Sequence, residues 1–402
     1  MQERSPGHKR FGLTWVGGIL VAVLALGALA ACSSSKSPSS NGSGGGGGSS
    51  SGDYVIGAPI PLTGAQAESG TDILNAMKLA VKAVNDNGGV LGHKLVLNSQ
   101  DTAADPNTAV AAANKLMSAK VDAIIGHYAS GEALPCLPIY NRAGVPAILP
   151  DANSGTLISQ GFKNLFLMDP TSDLQAGVGA KLLADNLKAT NVLVVDDQSS
   201  FGTQLSGLVT DAFKQMSGVT SSKQSVPANQ TDFAALIAVM KQKKVDAVYW
   251  SGYYSQAALL IKQMRDAGVT VPFVASDSNV DPSYITTAGQ AAEGTFATIA
   301  MTSQFLSGAD ADAFKTSYKA AYGNDPGPYA AYGWDSVNTL VAAIQAANST
   351  DKDKVVAALQ TIKTTGLTGD ISFGSDGSRQ GAKFVVLKVV NGQYTVNPDQ
   401  PS

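Results

Sequence analysis

Hydroxyl, amide and carboxylate side chains gather directly after short apolar runs in this chain. AIIGHYASGE places Tyr128, Ser130, Gly131 and Glu132 after one run, and AILPDANSG places Asp151 and Asn153 after a second. VYWSGYY adds Tyr253, and FVASDSN adds Asp277. Such groups hold small polar solutes, the oxygens taking an amine and the hydroxyls and amides taking a carboxylate. Ser130 and Gly131 also stand where a helix can begin, which would aim free backbone N–H groups at an anion. Taken singly, each residue reads first as an ordinary turn or cap; together they describe a polar cleft.

The same residues do not assemble into a catalyst. A nucleophile elbow needs G-x-S-x-G, but Ser130 has Tyr128 two places before it, with Gly131 adjacent. Ser33 and Lys36 fit S-x-x-K within a Ser/Gly stretch that cannot hold a base in place. No G-x-x-x-x-G-K-[ST] loop occurs, and Gly177-Val-Gly179 lacks the third glycine of a dinucleotide fingerprint. Three histidines (His8, His93, His127) and two cysteines (Cys32, Cys136) are too few for a zinc cluster or a disulfide framework. His127 has no partner fixed by spacing and reads as structural; Cys136, in ALPCLPIY, reads as a buried small hydrophobe. The expectation is a binding protein with no catalytic residue, metal or cofactor.

The elements that must position the cleft follow an alternating pattern. From Asp53 onward, β-branched runs (YVIGAPI, KLVLNSQ, DAIIGHY) alternate with alanine-rich stretches of helical period, Ile73 to Asn87 and Pro106 to Ala119. Ile73, Met77, Ala80, Val81 and Val84 share one face, and Gly88-Gly89 supplies the stop. The alternation restarts after Pro170 with NVLVVDD, VDAVYWSG, VPFVAS and GTFATIA, separated by helices near 176–187, 204–216, 233–243 and 256–267. This is the signature of repeated βαβ units in two α/β halves. In open parallel sheets, ligands collect beyond the carboxyl ends of the strands, where the polar residues above stand. Helix-rich sequence from Ala309 to Lys363 and a late strand pair, GDISFG and AKFVVLKVV, predict that the chain recrosses between the halves. The crossings fall near Asp169 to Ser172, Ala300 to Thr302 and Asp370 to Ser375.

Composition agrees with a large core, since 44% of the 402 residues are apolar and 15% charged. A net charge of −3, with no basic block beyond the first ten residues, excludes a nucleic-acid footprint. Arg4, Lys9 and Arg10 precede an apolar run from Phe11 to Ala31, which reads as an export signal, with an uncleaved membrane anchor as the alternative. Removing residues 1–31 deletes those three cations and Glu3, so the charge moves from −3 to −5. Of the next 20 residues, Ser33 to Gly52, 17 are serine or glycine, a flexible tether with a span of roughly 25 Å.

IGAPIPLTG, NGGVLGHKLVL, ADPNTAVAAANKL, AIIGHYAS, GFKNLF and VYWSGYY follow one another in an order that resembles the bacterial leucine/isoleucine/valine-binding proteins, type I solute-binding proteins of ABC importers. The resemblance covers about Asp53 to Val390. It implies two doubly wound α/β lobes joined by three hinge crossings, a Venus-flytrap that closes on its ligand. Lobe 1 would comprise 53–170 plus 302–371 and lobe 2 would comprise 171–301 plus 372–402, preceded by a lipoprotein signal peptide (1–31) and a lipid-anchored tether (32–52). Leu29-Ala30-Ala31-Cys32 is similar to a lipobox, making Cys32 the lipidated residue on the outer face of the cytoplasmic membrane. The implied partners are a small solute, a permease and the membrane, without nucleic acid.

The resemblance further implies that Ser130, with neighbouring N–H groups such as that of Gly131, holds an α-carboxylate, and that Tyr253 and Asp277 hold the α-ammonium. It aligns Asn153 with a carboxylate-binding threonine, Asp151 with a small residue, Ser69 with a tyrosine, and Phe201 with an aromatic that has lost its hydroxyl. A cysteine pair of the family corresponds to Ala104 and Ala129. Asp151 and Glu132 are out of keeping with a carboxylate site, because like charges about 4 Å apart repel by roughly 4 kcal/mol at an effective dielectric near 20. Either they turn outward, or the ligand is not a simple aliphatic amino acid. An amide or urea-like solute, a cationic metabolite, or a sensory role for the same fold are the alternatives.

Overall fold

The computed structural model describes residues 52–300 and 302–401. The export segment, Cys32 and the tether up to residue 51 lie outside them. Strand β1 (Tyr54–Ile60) opens a five-stranded sheet, followed by β2 (Leu95–Asp101), β3 (Ala123–Ile125), β4 (Ala147–Leu149) and β5 (Leu165–Leu167). All its pairings are parallel, in the order β2-β1-β3-β4-β5. The chain then passes into a second sheet through helix α6 (Ser172–Lys181), numbering α1 to α13 along the chain. There β6 (Asn191–Asp196), β7 (Thr220–Ser225), β8 (Ala247–Ser251), β9 (Phe273–Ala275) and β10 (Phe296–Ile299) pair in parallel.

Beyond β10 the chain returns to the first lobe as α11 (Ala309–Tyr322), α12 (Ala330–Ala347) and α13 (Lys352–Thr361). A short hairpin of β11 (Thr364–Gly366) and β12 (Gly369–Ile371) follows, after which β13 (Val385–Val390) and β14 (Gln393–Val396) close the second sheet as an antiparallel edge. The second sheet is therefore mixed, in the order β14-β13-β10-β9-β8-β6-β7.

The hydrophobic patterning explains the layers. Helix α1 (Ala67–Asp86) buries Ile73, Leu74, Met77 and Val81, on the spacing that an amphipathic helix requires, and packs on α12. Gly88 and Gly89, at φ +94° and +81°, end it in a conformation that costs other residues a Cβ clash. Helix α2 (Pro106–Ser118) starts on Asp105, whose carboxylate accepts the Thr108 N–H at 2.8 Å, with Pro106 in the first turn. Val192–Val195 and Ala247–Trp250 are wholly buried because helices cover both faces of the second sheet. Strand β7 lies at the sheet edge and reads TSSKQS, so it carries no apolar run; the backbone ladder to β6 fixes it.

Candidate functional site

The carboxyl ends of β3 and β4 face those of β8 and β9 across the two lobes. The loop after β3 enters α3 (Ser130–Ala133) and that after β4 enters α5 (Gly155–Ile158); from the second lobe come α7 (Ser200–Lys214), α9 (Tyr254–Asp266) and the turn at Asp277–Asn279. Tyr128, Ser130, Asp151, Asn153, Phe201, Tyr253, Asp277 and Ser278 line one cavity there, drawn from both lobes. All eight are buried. The room left between them is about 10 Å³, near the volume that admits one water.

Direct bonds join the lobes around this cavity. The Asn153 amide donates to Asp277 at 3.0 Å and to Asp169 at 2.7 Å. Gln204, on α7, accepts from the Ser154 hydroxyl at 2.8 Å and the Gly155 N–H at 3.1 Å. The Tyr329 hydroxyl donates to the Asp277 carbonyl at 2.6 Å. Ser69, expected at the ligand, instead sits in the first turn of α1 and donates to Asp281 of the second lobe at 2.8 Å. It lines a neighbouring groove of about 430 Å³ with Glu68, Asp72 and Asp281, outside the central cavity. Gly131 likewise lies outside the cavity lining, its missing Cβ facing Ser200.

The loop after β3 also differs from expectation. The Tyr128 and Ala129 N–H groups are taken by the Glu132 carboxylate at 3.1 and 3.0 Å. Glu132 thus turns inward to cap its own helix, with His127 Nδ1 3.9 Å from its second oxygen, and the ring's Nε2 meets the Tyr140 hydroxyl at 2.9 Å. The Ser130 hydroxyl accepts the Ser154 N–H at 3.2 Å, leaving its own proton free to donate. Asp151 turns inward as well.

Electrostatics inside the cleft are acidic. Burial raises Asp151 and Asp169 well above the ordinary carboxylate range, and their mutual proximity with Asp277 raises them further. Burial also raises Asp277, opposed by hydrogen bonds from Gln175, the Ser278 N–H and Asn153. In the adjoining groove burial pushes Asp72 up to about 7 and Asp281 up to about 6. Asp169, Ser278, Gln204, Asp281 and Tyr329 were not singled out as site residues from the sequence. Ser278 was within reach, beside Asp277 in the same strand-end loop; Gln204 and Tyr329 lie inside helix patterns and carry no local signal.

Two α/β lobes that present polar side chains to a shared cleft at their strand ends define a hinged receptor for a small solute. The periplasmic binding protein family model matches residues 53–393, and the chain belongs to that family. It is 31% identical over 339 residues to a Leu/Ile/Val-binding protein homolog 1 of Brucella melitensis, covering 84% of this chain and 90% of that protein. It is 32% identical to the homolog 2 of Brucella abortus, over 86% and 92% of the two chains. Among solved structures, the leucine-binding protein LivK of Thermotoga maritima superposes with a TM-score of 0.80 at 28% identity, covering 86% of this chain and 99% of that one. LivJ of Streptococcus pneumoniae, solved with isoleucine, gives 0.77 at 25% identity, over 86% and 98%.

Proposed function

We propose that this protein captures an amino acid, or a small polar solute related to one, and delivers it to the permease of an ABC importer without chemical change. The observation that carries this reading is the cavity in which Ser130, Asp151 and Asn153 of one lobe face Phe201, Tyr253 and Asp277 of the other. The free hydroxyl proton of Ser130 suits a carboxylate, and Asp277 with Tyr253 suits an ammonium. The relatives named for Leu/Ile/Val binding and the isoleucine-bound structure support an amino acid. Lobe 1 spans 53–170 plus 302–371 and lobe 2 spans 171–301 plus 372–402. Closure of the two traps the solute, and entry requires them to part, since the cavity is far smaller than an amino acid. Cys32 carries the lipid that keeps the receptor on the outer face of the membrane, beside its permease.

The test is mass analysis of the solute released by denaturing protein purified under native conditions. An amine-bearing amino acid or amine is expected; a bound amide or urea-like solute without an ammonium would overturn the amino-acid reading.

A further inference from the structure

Among the described residues, no cation forms an ion pair with Asp151, Asp169 or Asp277, and Arg379 acts on Asp169 only from beyond hydrogen-bond reach. Asp151, Asp169 and Asp277 are all buried, and Asp169 and Asp277 lie close enough to raise Asp151, as Asp277 does Asp169. The nearest guanidinium, Arg379, is spent on main-chain oxygens: Met168 at 2.9 Å, Thr368 at 3.2 Å and Asp370 at 2.8 Å. The Asn153 amide bridges Asp169 and Asp277 and reaches neither oxygen of Asp151. Asp151 lines the cavity with a buried, unpartnered Oδ1, on a residue 8% exposed. Aromatic rings complete the wall, with Tyr253 5.9 Å from Phe201 and 6.1 Å from Tyr128 between centroids.

A zwitterionic aliphatic amino acid brings one positive group and one negative group, which leaves the carboxylate excess as it was. An aliphatic side chain also offers no donor to Asp151 Oδ1, so a buried acceptor stays unpaired. A second ammonium or a guanidinium does both jobs, and the ring faces add cation–π attraction. We propose that the solute is an organic cation, a basic amino acid or an amine, whose extra positive group sits against Asp151 and faces the rings of Tyr128, Phe201 and Tyr253. This rests on the reading of the cleft as the ligand site and narrows it to solutes with more positive than negative charge. Binding such a cation lowers the proton affinity of Asp151, Asp169 and Asp277, so protons are released as it binds. The other groups facing Asp151 are the hydroxyls of Tyr128, Tyr253, Tyr329 and Tyr332, and Arg379 lies beyond Asp169.

Calorimetry on the full chain with L-lysine, L-arginine, putrescine, L-leucine and L-isoleucine decides it. At least one of the three cations should bind ten times more tightly than leucine or isoleucine, with an observed enthalpy that differs between phosphate and Tris buffers because protons leave. Lysine or arginine above putrescine identifies an amino acid; the reverse identifies an amine without a carboxylate. The near-isosteric Asp151→Asn should weaken the cation at least tenfold and abolish most of the buffer dependence, with a smaller effect on leucine. Tighter binding of leucine or isoleucine than of every cation overturns the inference while leaving the amino-acid receptor standing. Binding of none of the five overturns the inference, and mass analysis of the recovered solute then decides the amino-acid reading separately. Equal weakening of all ligands by Asp151→Asn, with buffer dependence retained, shows a packing role and overturns the assignment of Asp151; Asp169→Asn serves if that variant fails to fold.

Discussion

Asp277 is gripped from several directions. Its carboxylate accepts from Asn153 of the opposite lobe and from the Ser278 N–H at 2.9 Å, and its carbonyl accepts from Tyr329. The Ser278 bond lies within one lobe and persists when the lobes part, so the carboxylate is partly oriented before a ligand arrives, and closure adds the bonds from the opposite lobe. Asp277→Ala is therefore expected to cost on the order of 3 to 5 kcal/mol of ligand binding, because the ligand's charge is left buried and unpaired. Tyr253→Phe removes one hydroxyl contact and should cost about 1 kcal/mol. Titration with the ligand recovered from the purified protein checks the order; an Asp277→Ala variant within threefold of wild type would remove the ammonium assignment.

At the level of elements, close approach competes with helix propensity. Gly70 lies within α1, where alanine would ordinarily gain about 1 kcal/mol. A Cβ there would overlap the carbonyl oxygen of Pro61, in the loop that follows β1. Backbone cannot yield as a flexible side chain does, so overpacking of about 1 to 3 kcal/mol wins and Gly70→Ala should destabilise. Gly207, on α7, has nothing within 4 Å of the added Cβ, and Gly207→Ala should stabilise by about 0.5 to 1 kcal/mol. Urea midpoints of the two variants read opposite signs; a stabilised Gly70→Ala would mean that α1 sits farther from the loop.

For the whole molecule, the equilibrium between parted and closed lobes sets how tightly a solute is held. Gln204 is the hinge-side latch: its oxygen accepts from Ser154 and Gly155 of the first lobe and from Ser172, at 2.8 Å, where the chain crosses. Each net hydrogen bond contributes about 1 kcal/mol, so Gln204→Ala should shift the lobes toward opening by roughly a factor of ten or more. Small-angle scattering is expected to give the variant a larger radius of gyration than wild type, and ligand addition to shrink both. Identical curves for the two proteins would show that the latch does not govern closure.

The alternation of β-branched runs with helical-period stretches determined the two α/β lobes, and the caps at Asp105 and Gly88-Gly89 marked where helices start and stop, because these are properties of adjacent residues. The strand-end rule brought Ser130, Asp151, Asn153, Tyr253 and Asp277 to loops that line one cavity for the same reason. Strand β7 escaped notice since an edge strand needs no apolar face, only a neighbour's backbone. Whether Asp151 and Glu132 turned in or out, that Ser69 would meet Asp281 across 212 residues, and that Asp169 would join Asp151 and Asp277 in a buried acidic group were decided by the tertiary structure alone. Those outcomes depend on which atoms the opposite lobe supplies and on the loss of water between the lobes, and neither is written in local spacing.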